Sequence, residues 1–299
     1  MSSAITGRRD FLRYAAAVGI GAPLMRRATA ARGQTPPARL RKACQYRMLP
    51  ENLSDAERFA LAKRCGFEGI EASSVIEDLA AAKELGALAR QAGVPFHSVV
   101  YGSGPAPLSD PGPDVTEKGV ASMEIALRSA RALGADVVLL VPARVTETVS
   151  YGQAYERSQK NIRKLLPLAQ ELQVTIAVEN VWNKFLLSPL EFARYVDELD
   201  HPRLRAYFDI GNVILFGFSQ DWIRTLGKRI VRIHLKDFKR QGYQWTNLLD
   251  GDVNWPQVRK ALAEIGYSSY MTTELSGGNE AYLTDLAARI DKIIALPTA

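Results

Sequence analysis

Apolar positions along the chain follow two alternating rhythms. Short runs rich in β-branched and apolar residues fall near 43–48, 67–72, 94–100, 136–142, 174–179, 204–209, 229–235 and 270–274, bounded by Gly, Pro and Asn, and these predict strands. Longer patterns with helical periodicity lie between and after them, at 54–65, 76–92, 114–133, 153–172, 188–199, 220–227, 255–265 and 279–294. Ser54 with Glu57, Ser188 with Glu191 and Asp114 with Glu117 are expected to start helices, because a short oxygen side chain and a carboxylate three residues on satisfy free amides reciprocally. Gly66, Gly93, Gly134, Gly227 and Gly266 are expected to end helices in a left-handed cap. Eight strand–helix units in succession predict an α/β fold, a (β/α)8 TIM barrel over residues 41–299, with its chemistry at the C-terminal ends of the strands.

That expectation is tested against the strand ends themselves. Polar residues collect there: Glu71 on the second strand, His97 on the third, Glu179 on the fifth, Asp209 on the sixth, His234 on the seventh and Glu274 on the eighth. The remaining histidine, His201, sits between a helix and a strand, on the opposite face. Glu179, Asp209, His234 and Glu274 together offer three carboxylates and one imidazole, a cage for one divalent cation with positions left for substrate oxygens. Mostly oxygen donors favour Mn²⁺, with Mg²⁺, Co²⁺ and Zn²⁺ also admissible, over a thiolate-rich structural zinc site. A single acidic strand end more often caps a helix or pairs with a base; four at one end of adjacent strands favour the metal.

Composition changes this picture little. The chain has 299 residues, 47% hydrophobic and 23% charged, enough for one large core. Its net charge of +6 is concentrated at the start, where Arg8, Arg9, Arg13, Arg26 and Arg27 face only Asp10; the rest carries 33 basic and 31 acidic residues. A nucleic-acid partner is therefore not expected. The segment Gly7-Arg8-Arg9-Asp10-Phe11-Leu12-Arg13, a mild apolar run to Leu24 too short to span a bilayer, and Ala28-Thr29-Ala30 resemble a twin-arginine export signal over residues 1–30, followed by a linker at 31–40. This implies an exported, periplasmic protein without stable membrane insertion. Cys44 and Cys65 are expected to be two buried thiols.

Four strings, Val178-Glu179-Asn180, Phe208-Asp209-Ile210-Gly211-Asn212, Ile233-His234-Leu235-Lys236-Asp237 and Thr273-Glu274-Leu275, resemble the xylose isomerase-like barrels, and within them the L-ribulose or L-xylulose 5-phosphate 3-epimerases. The resemblance implies that Glu179, Asp209, His234 and Glu274 bind the metal and that Glu179 and Glu274 are also the two catalytic bases. It implies a sugar as small-molecule partner, and a homodimer or homotetramer as assembly. One base removing the proton beside a ketose carbonyl and another returning it from the opposite face is 3-epimerisation; an aldose–ketose isomerase uses the same cage, so the ligands leave the reaction open.

The substrate contacts are less determined. Asn212 stands where enzymes of free ketoses often carry a histidine, which favours the phosphosugar branch. Arg240 matches a substrate arginine of the free-sugar enzymes or is a solvated loop charge. His97, Glu71 and Lys236 are expected to contact sugar hydroxyls or to orient ligands, and Trp182 to wall the pocket. Gly242-Tyr243-Gln244-Trp245 and Asp250-Gly251-Asp252-Val253 are lid candidates, and Ser276-Gly277-Gly278-Asn279 is a candidate phosphate turn. Export argues against a phosphate, and makes a metal-dependent lyase or hydrolase of keto-glycosides the main alternative. A non-catalytic sugar-binding barrel and an apurinic endonuclease-like protein are further readings; the latter wants a histidine-rich three-zinc site.

Overall fold

Alternation along the strands decides what lines the barrel and what faces the helices. The structure, a computed structural model, describes residues 39–102 and 107–298. The expected export signal lies outside the described residues, as does most of the linker. Ten strands are described: β1 (Arg41–Gln45), β2 (Gly69–Ala72), β3 (Phe96–Tyr101), β4 (Val137–Leu140), β5 (Thr175–Glu179), β6 (Leu204–Asp209), β7 (Ile230–Leu235), β8 (Asp237–Lys239), β9 (Gln244–Thr246) and β10 (Tyr270–Thr273). The helices are α1 (Asp55–Arg64), α2 (Leu79–Gln91), α3 (Pro113–Leu133), α4 (Tyr151–Leu172), α5 (Pro189–Leu199), α6 (Ser219–Leu226), α7 (Trp255–Glu264) and α8 (Glu280–Ile294). Eight strands close a parallel barrel in the order β1-β10-β7-β6-β5-β4-β3-β2, while β8 and β9 form a separate antiparallel hairpin. The fold is the (β/α)8 TIM barrel that the eight units predict.

On β4 and β5, Val138, Leu140, Ile176 and Val178 join the large core beneath the helices. Their neighbours Val137, Leu139 and Ala177 pack with Tyr207 as a smaller cluster inside the barrel. Glu179 continues the inward parity of Ala177, so the last residue of β5 turns its carboxylate to the barrel axis.

Helix starts follow the expected chemistry with two differences. Ser54 and Glu57 form a full capping box, and Ser188 accepts from the Glu191 amide. Asp114, however, is in the first turn of α3, behind Gly112 as N-cap and Pro113, whose missing N–H costs nothing there. Ser150 with Gln153 forms a second full capping box, starting α4 two residues before the expected Gln153. The five helix-ending glycines all have positive φ, but Gly227 has ψ −131°, outside the left-handed helical region. Cys44 and Cys65 are buried free thiols. Among the described residues, no helix is long and apolar enough to cross a membrane.

Two local departures reset the site. β1 ends at Gln45 and a 3-10 turn, Tyr46–Met48, follows, so Arg47 lies at the rim rather than inside the first strand. β3 runs four residues past His97, which is therefore near the strand's start and not at its C-terminal end.

Candidate metal centre and active site

The centre is assembled from the ends of β5, β6, β7 and the loop after β10. Glu179, Asp209, His234 and Glu274 each present one ligand atom, and all four atoms lie within 4.8 Å of one another. Asp209 and His234 face each other because the β6–β7 pairing slips by one residue: Ala206 pairs with Ile230, but Tyr207 pairs with Arg232, which brings Asp209 opposite His234. Without that irregularity Asp209 would face Ile233.

His234 is the hub. Its Nε2 lies 2.7 Å from Glu71 Oε2, and its Nδ1 lies 2.7 Å from Glu179 Oε1 and 3.0 Å from Glu274 Oε2. An ionised Glu71 can only accept, so Nε2–H donates to it and Nδ1 is the nitrogen turned to the cage. Glu71 is fully buried and accepts from four directions. Oε2 takes Gln45 Nε2 at 2.9 Å and His234; Oε1 takes Tyr207 Oη at 2.6 Å and Ser98 Oγ at 2.7 Å. Burial works to raise its pKa, but the charge and hydrogen bond of His234 outweigh it and bring it to about 2. Glu71 thus holds a metal-ligand candidate by its far nitrogen and is enclosed by protein donors, rather than facing a sugar.

The other carboxylates are held as specifically. Asp209 Oδ1 accepts from the Asn212 amide at 2.7 Å. Asn180 and Asp209 exchange two bonds of 3.0 Å, Asn180 Oδ1 accepting the Asp209 amide and Asn180 Nδ2 donating to the Asp209 carbonyl. Asn212 Nδ2 closes the set on the Asn180 carbonyl at 2.8 Å. The two asparagines of the strings Glu179-Asn180 and Asp209-Ile-Gly-Asn212 therefore lock β5 to β6 and leave Asp209 Oδ2 for the cage. Gly211 is needed beside them because a Cβ there would stand 2.5 Å from the Lys236 Cβ.

Asp209 Oδ2 and Glu274 Oε2 are buried and accept no well-formed hydrogen bond among the described residues. Cations do stand near them: Lys236 Nζ lies 3.2 Å from Asp209 Oδ2 and 2.7 Å from Glu274 Oε2. Two buried carboxylate oxygens turned toward an imidazole nitrogen, with the Lys236 ammonium as the cation against them, are the donor set a hard divalent cation takes. The residues present fit such an ion.

The electrostatics separate the two glutamates. Burial raises Glu179 to about 7, the charge of His234 offsetting only part of it. Glu274 is also partly desolvated, but His234 and Lys236 hold it well below the ordinary carboxylate range. Burial raises Asp209 against the attraction of Lys236. His234 itself is raised well above its ordinary value, since the carboxylates of Glu71, Glu274 and Glu179 outweigh the effect of burial.

A cavity of about 590 Å³ opens on Glu274 and is lined by Arg47, Lys236, Trp245, Thr246, Asn247, Leu275, Ser276 and Tyr282 as well. Lys236 thus reaches both cage and cavity. His97 does not: it is stacked on Tyr270 at 4.2 Å and bonded to Ser98, Arg232 and Thr272, in a layer below the cage where burial and Arg232 hold its pKa far down. A slip in the β2–β3 pairing sets Glu71 opposite Ser98 and leaves His97 out of register with it. Arg240 spans two loops instead of lining the cavity, its guanidinium donating to the carbonyls of Ile214 at 2.7 Å and Gly217 at 3.2 Å. Trp182 donates to the Asn212 carbonyl at 2.8 Å and stands behind Trp245, ring centroids 5.0 Å apart. His201 is in the α5–β6 loop, accepting from the Arg203 amide. Arg47, Thr246, Asn247 and Tyr282 were not legible as cavity residues. The signal for Arg47 was a charge directly after the polar strand end Gln45; the other three depend on loop paths.

Comparison with known proteins agrees with this architecture. The chain is 29% identical over 212 residues to a putative L-ribulose-5-phosphate 3-epimerase of Haemophilus influenzae, covering 63% of this chain and 70% of that one. Among the curated relatives it matches, it spans between 57% and 70% of their length. Among solved structures it resembles D-psicose 3-epimerase of Clostridium cellulolyticum H10 (TM-score 0.73, 19% identity, 86% of this chain and 99% of that one). It resembles equally the 3-keto-D-glucoside 4-epimerase of E. coli (TM-score 0.72, 16% identity, 85% and 99%). The profile of the xylose isomerase-like TIM barrels matches residues 59–293, and the chain belongs to that family.

Proposed function

We propose that the protein is a divalent-metal-dependent sugar epimerase, with 3-epimerisation of a ketose as its reaction. The observation that carries this reading is the pair of glutamates in one cage in different surroundings: Glu274 at the cavity wall with Lys236 Nζ at 2.7 Å, and Glu179 buried deeper, where burial raises its pKa. Such a pair suits proton removal by one carboxyl and proton return by the other. Glu179, Asp209, His234 and Glu274 would hold the ion, whose chemistry is to stabilise negative charge developing on substrate oxygens. Glu274 takes the proton on the carbon beside the carbonyl, Lys236 keeps that carboxyl charged, and Glu179, entering the cycle protonated, delivers its own proton from the other side. The kinship with 3-epimerases supports the reaction type, and the donor set supports Mn²⁺. The histidine-rich three-zinc alternative gains no support, because the one ligand group among the described residues contains a single histidine.

The test is solvent deuterium exchange: Mn²⁺-loaded protein in D₂O with free ketoses, phosphorylated ketoses and 3-keto-glycosides, read by NMR. Metal-dependent deuterium beside the carbonyl is expected for one of these classes. Exchange accompanied by loss of the aglycone would instead favour the keto-glycoside lyase, and no exchange with any class would sink the reading.

Metal uptake is expected to release protons. Ligation is tightest with a neutral His234 and an ionised Glu179, yet both pKa values are raised in the cage. Protons leave on binding, so lowering the pH opposes it: Mn²⁺ affinity should fall steadily as pH drops through about 7. Calorimetry in buffers of different ionisation enthalpy measures the release, and pH-independent affinity from 6 to 8 would contradict it.

We further propose that the twin-arginine-like segment at residues 7–13 exports the folded barrel. Replacing Arg8 and Arg9 by lysine should hold the protein in the cytoplasm on cell fractionation; unchanged export would refute the assignment.

A further inference from the structure

The hairpin β8–β9 has three paired positions, Asp237 with Thr246, Phe238 with Trp245 and Lys239 with Gln244. A two-stranded unit that short does not hold a shape alone. Its second strand nevertheless delivers Trp245 and, at the base opposite Asp237, Thr246 to the cavity wall beside Glu274. Trp245 is backed by Trp182 and Phe238, both at 5.0 Å, has the Lys236 ammonium 5.5 Å from its ring, and remains 41% exposed. Thr246 Oγ1 is buried and has no hydrogen-bond partner among the described residues. A buried hydroxyl without a partner, on a cavity wall next to a braced and open indole, is a place for a ligand that brings both a ring face and a hydroxyl.

What holds the hairpin in place is the side chain of Asp237, fully buried at its base. Oδ1 accepts from the amides of Phe238 at 2.9 Å and Val253 at 3.1 Å, and Oδ2 from the Leu249 amide at 3.0 Å and Trp255 Nε1 at 2.9 Å. Four donors from the whole excursion 238–255 converge on one carboxylate. A Cβ at position 251 would stand 2.1 Å from Asp237 Oδ1, so only glycine lets the loop close over it.

We propose that β8–β9 is a substrate-recognition arm in which Trp245 stacks on a sugar ring, the Thr246 hydroxyl bonds to a sugar hydroxyl, and Asp237 is the positioning residue for both. The proposal rests on the sugar-epimerase reading, and identifies where the part of the sugar beyond the reacting carbons is recognised.

The test uses the full Mn²⁺-loaded protein and three probes, D-fructose, L-ribulose 5-phosphate and methyl 3-keto-D-glucopyranoside, with Kd by calorimetry and KM and kcat by deuterium exchange. For the probe that wild type takes, Trp245→Ala should raise Kd and KM about tenfold, and the isosteric Thr246→Val about threefold to tenfold. Asp237→Asn, which turns an NH₂ toward two donors, should raise KM like Trp245→Ala. All three should leave Mn²⁺ affinity unchanged and kcat within about threefold, a split that general loss of structure would not produce. Exchange with KM and Kd unmoved in Trp245→Ala and Thr246→Val overturns the arm and leaves the epimerase reading. Binding without exchange in wild type, weakened in both variants, sinks that reading and leaves the arm. Neither binding nor exchange with any probe overturns both.

Discussion

The Glu274→Gln and Glu179→Gln proteins, each saturated with Mn²⁺, are expected to lose opposite halves of the exchange reaction. If the two carboxyls serve opposite faces of the substrate, each variant should still exchange the proton of one epimer and fail on the other. The rate of the lost half should drop about 10²–10⁴-fold, the contribution of a positioned acid–base group. Net epimerisation should vanish in both. Glutamine keeps the volume and removes the proton-accepting charge; because both residues are also metal-ligand candidates, titration to saturation separates ion loss from base loss. The separation of environments motivates the directionality: Lys236, at 2.7 Å, keeps Glu274 charged, while burial brings Glu179 to about 7. If one variant loses exchange of both epimers and the other of neither, a single base does the chemistry and isomerisation on one face replaces epimerisation.

The second large effect is expected at Glu71→Gln, a substitution of a residue outside the cage itself. All four partners of Glu71 present donors: Gln45 Nε2, His234 Nε2, Tyr207 Oη and Ser98 Oγ. A glutamine can accept on one atom only and must turn its NH₂ toward donors. The two hydroxyls can rotate to accept it, but if it faces His234 the ring is driven to carry its proton on Nδ1, and the lone pair leaves the cage. Mn²⁺ affinity should fall about 10–100-fold, the usual cost of losing the group that orients a ligating histidine. Electron paramagnetic resonance of free Mn²⁺ measures it directly, with thermal unfolding in chelator to report on the fold. Unchanged affinity would mean that Glu179 and Glu274 alone orient His234.

Much of this molecule is written locally. Strand runs of period two, helical patterns between them, Ser54 and Ser188 at helix starts and glycines at helix ends are properties of a few neighbouring residues, and they suffice for eight βα units. Since a parallel barrel puts every strand's C-terminus on one face, the order of the units already sends Glu179, Asp209, His234 and Glu274 to the same end. The asparagines were visible as part of the strings, but their work was not: Asn212 reads as a substrate contact in one dimension and in three locks Asp209 to Asn180.

What the tertiary structure alone decided is register and loop path. One-residue slips between β6 and β7 and between β2 and β3 set His234 against Asp209, and Ser98 rather than His97 against Glu71. Neither has a local signature, because a slip is chosen by how two distant strands and their side chains pack, not by the residues of either strand. Arg240 was drawn away from the cavity by carbonyls of the loop after β6, and Trp245 and Thr246 were brought to it by Asp237 gathering donors up to eighteen residues away. Periodicity and motif determine which groups reach the active face; hydrogen bonds between segments distant in sequence determine which of them meet.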